Sequence, residues 1–164
     1  MLSNGTLSYY KRRDGYVMPH EHNLGTALAV LCGVLEGDEA IKALENYPTY
    51  DKGIPLIHPY LPNRPGSHNT VSWPFCSTFF LWAKEKATGI DQTDYNAALL
   101  ARSMGTKLDP EKKPEWGGFG SFHEQVMLPS GIIGGSGDQL WSSASYINVC
   151  LRAGVIDGMG GVVE

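Results

Sequence analysis

A single glutamate in an aromatic and glycine-rich stretch is the residue of this chain best suited to acid–base chemistry. Glu124 lies in the sequence FHEQ and is followed by the glycine-rich sequence GIIGGSG. Aromatic neighbours can raise the pKa of a carboxyl group, and a carboxyl with a raised pKa can give or take a proton in a reaction. Most loop glutamates are merely solvated, so this residue alone identifies no reaction.

A second group of residues combines hydrogen-bonding groups with an aromatic face. His68 and Asn69 precede Trp73 in the sequence HNTVSWP. Imidazole and amide groups offer directional donors and acceptors, and an indole offers an apolar face with one N–H. A sugar ring needs both, because its hydroxyls take hydrogen bonds and its C–H face stacks on an aromatic plane. The alternative is a helix entry in which Asn69 makes a turn and Trp73 fills the core, and composition alone favours this alternative.

These segments, taken in order, resemble the six-hairpin (α/α) barrel glycosidases, a group that includes trehalases, glucoamylases, processing α-glucosidases and glycogen-debranching glucosidases. In that group a loop similar to H-N-x-x-V-W-P leads into a barrel helix. A later loop with a glutamate and glycines precedes a segment similar to Q-x-W-S-x-A. Here HNTVSWP has one residue more between Val71 and Trp73, and Glu124 and then QLWSSAS follow. The resemblance extends from about Asn23 to Gly154.

The resemblance implies a glycoside hydrolase that acts on α-glycosidic bonds of oligo- or polysaccharides with inversion. Inverting enzymes place a general acid and a general base about 6.5–9.5 Å apart, with a water molecule beside the base. Glu124 matches the general base. The general acid of the family comes from an upstream loop that has no counterpart here, and the spare acids Asp51, Asp91 and Asp138 do not match it. The residues matching the substrate site are His68, Asn69, Trp73, Gln139 and Trp141.

Apolar residues at helical spacing predict five helices that position these loops. Prolines and glycines predict two long irregular loops, at 54–65 and 107–137, and the four prolines of the first disfavour a central strand. The predicted helices start near Asn23, Asp38, Pro74, Asp91 or Thr93, and Ser136 or Asp138, and they end at Gly37, Pro48, Gly89, Gly105 and Gly154.

The expected fold is all-α, with antiparallel helical hairpins in one domain spanning 1–164. By resemblance it is equivalent to the C-terminal half of an (α/α)6 toroid with long Gly/Pro-rich loops. Phe75, Thr78, Phe79, Trp82 and Ala83 share one face of the third helix. The inward residues expected for the fourth are Tyr95, Ala98, Leu99 and the stem of Arg102, and the apolar series of the last is Leu140, Ala144, Ile147 and Leu151.

Composition excludes several classes of function. The net charge is −4 without a broad basic cluster, so a nucleic acid is a poor candidate partner. No segment reaches the roughly 20 apolar residues of a membrane span, and the first ten residues contain no export signal. The compartment is left open, with the cytoplasm as the default expectation. Three distant cysteines without C-x-x-C spacing favour neither a disulfide framework nor zinc.

The expected ligand is a carbohydrate, and no metal or other cofactor is predicted. The sequence His20-Glu21-His22 has ligand-type side chains, but it lacks a third ligand at a recognised spacing. A non-catalytic carbohydrate-binding or helical scaffold protein is the alternative function. Half of an open barrel would expose a large apolar face, so we expect self-association or an N-terminal partner half that completes the barrel.

Overall fold

The computed structural model describes residue 2 and residues 5–61, 68–104 and 121–156. Among these residues no helix is long and apolar enough to cross a bilayer. In chain order the elements are β1 (Glu21–His22), α1 (Asn23–Leu31), α2 (Gly37–Glu45), β2 (Ile57–His58), β3 (Val71–Ser72), α3 (Pro74–Thr88), α4 (Thr93–Arg102), β4 (Gln125–Met127), β5 (Ile133–Gly134) and α5 (Leu140–Arg152).

The prediction of an all-α fold is wrong, because two small antiparallel sheets accompany the five helices. One sheet pairs β1 with β2, and the other has the order β3-β4-β5. Each strand has only two or three residues, which is too short to produce a readable alternation of apolar and polar positions. β2 lies inside the proline-rich loop. The prolines of this loop are compatible with β2 because an edge strand can tolerate them.

Four of the helices contribute to one hydrophobic core. α3 packs against α1, α2 and α4, and the contribution of α4 is Leu99. Lys86 of α3 donates from Nζ to the carbonyl oxygens of Val30 and Leu31, at 3.2 and 3.0 Å, and so satisfies carbonyls at the end of α1. The fully buried side chains of this core include Ala27, Val30, Ala40, Leu44, Ile54, Phe80 and Leu81.

The start and end of α3 are as the sequence predicts. Pro74 occupies the first turn, and Gly89 ends the helix with a φ of 70°. A residue without a Cβ adopts this left-handed conformation at little cost. The first helix differs, because its N-cap is His22 rather than Asn23, and it ends at Leu31.

The predicted inward face of α4 is confirmed for Leu99 and wrong for the other residues named. Tyr95, Ala98 and Arg102 are exposed, whereas Asn96, Leu99 and Leu100 are buried. The Thr78 hydroxyl donates to Asn96 Oδ1 at 2.9 Å, which explains how a polar residue occupies the core side of the helix. A search for apolar residues at helical spacing cannot identify a buried helix face that includes a polar residue such as Asn96.

The buried face of α5 is also largely polar. Ser142, Ser145 and Val149 are buried, whereas Leu140 and Ile147 are 77% and 53% exposed. With 3.6 residues per turn, the series Leu140, Ala144, Ile147 and Leu151 lies opposite the buried face. We call this series the α5 apolar stripe; Leu140, Ile147 and Leu151 are exposed, and Ala144 borders the space between α5 and α1.

Candidate functional site

The β3–β4 pairing brings the two chemically distinctive segments side by side. β3 belongs to HNTVSWP and β4 belongs to FHEQVM, and Ser72 lies opposite Val126 in antiparallel register. Trp73 follows Ser72 as the N-cap of α3, and Glu124 immediately precedes β4. The backbone thus places the indole-bearing and carboxylate-bearing segments next to each other.

The segment QLWSS joins the same region through hydrogen bonds to the FHEQ segment. The backbone N–H of Gln139 donates to the Phe122 carbonyl oxygen at 2.8 Å. The Ser142 hydroxyl donates to the His123 carbonyl oxygen at 3.3 Å and is fully buried. These bonds fix the start of α5 beside Glu124, so all three segments named from the sequence are in contact.

Glu124 is a half-buried residue held in a tight loop. Its backbone N–H donates to the Ser136 carbonyl oxygen at 2.9 Å, and its Oε2 accepts the Ser136 N–H at 3.2 Å. Gly135, with a φ of 73°, lies against it so closely that an added Cβ would come within 2.5 Å of Glu124 Oε2. The glycine therefore determines how near the loop approaches the carboxylate.

An aromatic series extends from the β3 segment to α5. Trp73 is half-buried and lies between His68, at a centroid distance of 4.9 Å, and Phe75, at 5.7 Å. Phe75 in turn stacks on Trp141 at 5.4 Å and 25°, and Trp141 is 62% exposed. Three of the predicted substrate residues are therefore linked by ring contacts through Phe75.

Asn69 and Gln139 hold backbone rather than completing the aromatic series. Asn69 is buried, its Oδ1 accepts the Leu61 N–H, and its Nδ2 donates to the Leu61 carbonyl oxygen at 2.7 Å. Gln139 is the N-cap of α5, and its carbonyl oxygen accepts the Ser143 N–H at 3.0 Å. Both residues position the segments that carry the indoles.

An open apolar groove of about 540 Å³ lies beside the aromatic series, between α1, α3 and α5. The face of α3 that carries Phe75, Phe79 and Trp82 is half-buried and lines this groove. Leu24 and Leu28 of α1 form the facing wall. The core of α3 instead uses Phe80, Leu81 and Ala83, so the aromatic face predicted from the sequence is real but mostly borders a groove.

The histidines at β1 have structural partners. His22 Nδ1 accepts the Gly25 N–H at 3.3 Å as the cap of α1, and its ring stacks on Tyr9 at 5.0 Å. Burial and then the nearby His68 lower the pKa of His22. Glu21 is buried and accepts the Thr6 hydroxyl at 2.7 Å. In the described part of the chain, no group of three or more His, Cys, Asp or Glu side chains could hold a metal ion.

Two of the spare aspartates lie at helix starts, and Asp51 lies in an exposed turn between Tyr50 and Gly53. Asp91 Oδ1 accepts the Thr93 N–H at 2.8 Å at the start of α4, and hydrogen bonds from Thr93 lower the pKa of this carboxyl. Asp138 is exposed with a φ of 52°, immediately before the N-cap of α5. A general acid needs a raised pKa, so Asp91 is unsuited to that role.

Comparison of the chain with protein-family models, with curated proteins and with solved structures finds no match. The candidate site is therefore described from its own geometry.

The sequence interpretation missed three residues of this region. Phe75 was expected on a core-facing helix face, yet it links Trp73 to Trp141. The sequence also does not reveal that Tyr9 stacks on His22 or that β1 holds His22 opposite Ile57. For Phe75 the sequence carried one indication: it follows Trp73 by two positions, at the start of α3.

Proposed function

We propose that this protein hydrolyses α-glycosidic bonds of an oligo- or polysaccharide, with Glu124 as the general base. One observation supports the proposal: β3, which ends one residue before Trp73, pairs with β4, which begins one residue after Glu124. A glycosidase needs a carboxylate near an aromatic platform, because the platform holds the sugar ring while the carboxylate activates water. The resemblance to the six-hairpin glycosidases supports the same assignment.

The surroundings of Glu124 suit a fixed base. The Ser136 N–H holds Oε2, and the loop backbone holds the residue itself, so little side-chain freedom is lost when a water molecule is activated. The half-exposed position lets substrate and water reach the carboxylate. Proton transfer to a positioned carboxylate contributes about 10²- to 10⁴-fold in rate.

The aromatic residues would supply the sugar-binding surface. Trp73 offers a partly buried indole directly after β3, and Trp141 offers an exposed indole supported by Phe75. His68 adds a polar group against Trp73. Asn69 and Gln139 act through the backbone that they hold, as positioning residues.

The test is release of reducing sugar from α-linked substrates (trehalose, maltose, isomaltose and maltoheptaose) by the wild type and by Glu124→Gln. We expect the substitution to lower turnover by about 10²- to 10⁴-fold, because an amide cannot accept the proton. Glu45→Gln, which changes an exposed carboxylate on α2, is the matched control and should leave turnover unchanged. Near-normal turnover by Glu124→Gln would remove the assignment.

A non-catalytic carbohydrate-binding function is the second candidate, and Asp91 favours it. That carboxyl has a lowered pKa and holds a helix start, so it offers no partner acid to Glu124. For a non-catalytic carbohydrate-binding protein we expect no turnover of any of the four substrates. Sugar binding should then survive Glu124→Gln and be lost in Trp73→Ala. Turnover that depends on Glu124 would exclude it.

A further inference from the structure

The chain before β1 folds back on itself around a turn. The Arg12 N–H donates to the Tyr16 carbonyl oxygen at 2.8 Å, and Lys11 lies opposite Val17 in an antiparallel bridge. These pairings join the two sides of the turn into one local unit. We call residues 9–17 the basic arm.

Local bonds define the tip of the basic arm. The Gly15 N–H donates to the Arg12 carbonyl oxygen at 3.0 Å, and Gly15 has a φ of 91°, which a residue without a Cβ adopts at little cost. Asp14 Oδ1 accepts the Tyr16 N–H at 3.1 Å, and its Oδ2 pairs with the Arg12 guanidinium at 2.8 Å. The turn therefore holds Arg13 at its tip.

The basic arm is exposed along its whole length. All nine residues from 9 to 17 are exposed, and this is the longest such run among the described residues. Tyr9, Tyr10 and Tyr16 are 43%, 47% and 48% exposed, and Val17 is 37% exposed. Four large side chains so close together form a patch rather than scattered exposure, and such patches mark interaction sites.

The basic arm has the opposite charge to the rest of the chain. Lys11, Arg12 and Arg13 against Asp14 give the arm a charge of +2, and because the whole chain carries −4, the remaining residues carry −6. This separation of charge orients the molecule in an electric field. A broad anionic surface attracts the arm and repels the remainder, so the arm is the part that meets such a surface.

Both faces of the basic arm combine a cation with an apolar or aromatic side chain. Lys11 and Val17 share one face, because directly opposite residues of an antiparallel pair do so. Arg12 and Tyr16 share the other face, with Arg12 Cζ at 5.8 Å from the Tyr16 ring centroid. A partner that packs on one face would leave the second face in water, whereas a layer that surrounds the tip contacts both.

We propose that the basic arm binds the surface of a membrane that contains anionic phospholipids. The anionic headgroups attract the cations, and each tyrosine ring, with an apolar body and a polar hydroxyl, suits the headgroup layer. A surface contact needs no membrane-spanning helix, and it does not depend on the proposed hydrolysis. A nucleic acid is a poorer match, because it binds along a track of many cations and the arm offers three on an otherwise acidic chain.

Co-sedimentation with vesicles tests the proposal. The vesicles contain phosphatidylcholine alone or an equimolar mixture of phosphatidylcholine and phosphatidylserine. We expect the wild type to bind the mixed vesicles at low ionic strength, to be released at about 1 M salt, where charges are screened within about 3 Å, and to leave the neutral vesicles unbound. Lys11→Gln combined with Arg13→Gln keeps the pair of Arg12 with Asp14 and should weaken binding about 25-fold, since each cation near an anionic surface contributes about fivefold.

The chain offers a matched control for the loss of charge. Lys52→Gln combined with Arg102→Gln removes two exposed cations outside the basic arm and changes the net charge equally, so this variant should bind as the wild type does. Tyr10→Ser combined with Tyr16→Ser keeps every charge and should also weaken binding, whereas Tyr10→Phe combined with Tyr16→Phe should retain it. Equal thermal midpoints of the variants exclude unfolding as the cause of a difference.

Four results would each overturn the proposal. Absence of binding to the mixed vesicles is the first, and equal binding to mixed and neutral vesicles is the second. The third is an equal loss in the Lys11 and Arg13 variant and in the Lys52 and Arg102 variant, which would make the attraction a property of the whole chain. Tighter binding of oligo-dT than of mixed vesicles, lost on substitution of Lys11 and Arg13, is the fourth and would replace the membrane by a nucleic acid.

Discussion

Gly135 and Glu124 show how closely one residue fixes another at this site. The glycine adopts a left-handed φ of 73°, and an added Cβ would lie 2.7 Å from the Glu124 Cβ and 2.5 Å from its Oε2. Two separate costs follow for any larger residue: a strained backbone and a displaced carboxylate. The displacement of the carboxylate makes Gly135 relevant to the role proposed for Glu124.

Gly135→Ala is predicted to destabilise the protein by more than the backbone term of about 1–2 kcal/mol and to lower turnover. The control is Gly154→Ala, because Gly154 has a φ of 69° and nothing within 4 Å of an added Cβ. Urea unfolding gives the two free energies of unfolding. Equal losses in the two variants, with unchanged turnover in both, would show that the approach of Gly135 to Glu124 is unimportant.

His22 predicts a pH dependence of stability. Its pKa in the folded protein lies below its ordinary value of 6.5, with burial as the main cause and His68 as the second. The unfolded chain then binds the proton more readily, so stability is fully present above about 6.5 and falls as the pH drops through the folded-state pKa. Protonation of Nδ1 would also remove the bond from the Gly25 N–H.

His22→Asn is the informative variant, because asparagine caps a helix well and does not titrate. We expect its free energy of unfolding to fall less than that of the wild type between pH 7 and pH 5. Tyr9, Glu21 and His68 remain in both proteins, so the difference between the two pH curves isolates His22. Parallel curves in urea unfolding would contradict the prediction.

The helices were largely predictable from sequence, but their buried faces were not. Proline and glycine define α3 at Pro74 and Gly89, since their backbone preferences are local. The buried sides of α4 and α5 depend on polar contacts with distant residues, such as Thr78 with Asn96 and Ser142 with the His123 carbonyl. Such contacts leave no periodic trace in one sequence.

The Thr78–Asn96 bond predicts a non-additive pair of substitutions between α3 and α4. Asn96→Leu alone removes this acceptor but leaves the Thr78 hydroxyl the Pro74 carbonyl oxygen at 3.2 Å, so it should cost about 0.5–1.5 kcal/mol, the net contribution of one hydrogen bond. Asn96→Leu combined with Thr78→Val removes both polar groups and should cost less than the sum of the single substitutions. A double-mutant cycle in urea measures the coupling, and additive losses would show that the bond contributes no stability.

The sheets and the site were the least predictable parts. The three segments around Glu124 were identified from the sequence, but their contact depends on the pairing of β3 with β4. Strands as short as these leave no recognisable pattern in the sequence. The other sheet depends on a similar long-range pairing, in which Glu21 lies opposite His58. Long-range pairing of short strands therefore set the limit of the prediction.

At the scale of the whole molecule, the α5 apolar stripe has no partner among the described residues. The helix carries no charged side chain before Arg152, whose guanidinium pairs with Glu85. A second copy can therefore approach through the same uncharged surface without like-charge repulsion, as a two-fold contact requires. We predict self-association through this stripe.

Ile147→Ser should shift the protein toward the monomer in sedimentation velocity, because it places a hydroxyl at the centre of the α5 apolar stripe. Val34→Ser is the matched control, since Val34 is 73% exposed and lies outside α5. A wild type that remains a strict monomer at high concentration would contradict self-association. Equal effects of the two substitutions would place the contact elsewhere.

The β3–β4 register also has a consequence for the order of folding. α1 and α2 are neighbours along the chain, as are α3 and α4, whereas Ser72 and Val126 are more than 50 residues apart in sequence. Closing such a long loop costs chain entropy before any contact repays it, so the helices should gain protection first. Pulsed hydrogen exchange would then detect amide protection in α1 and α3 before β4, and the candidate site would be the last part of the protein to form.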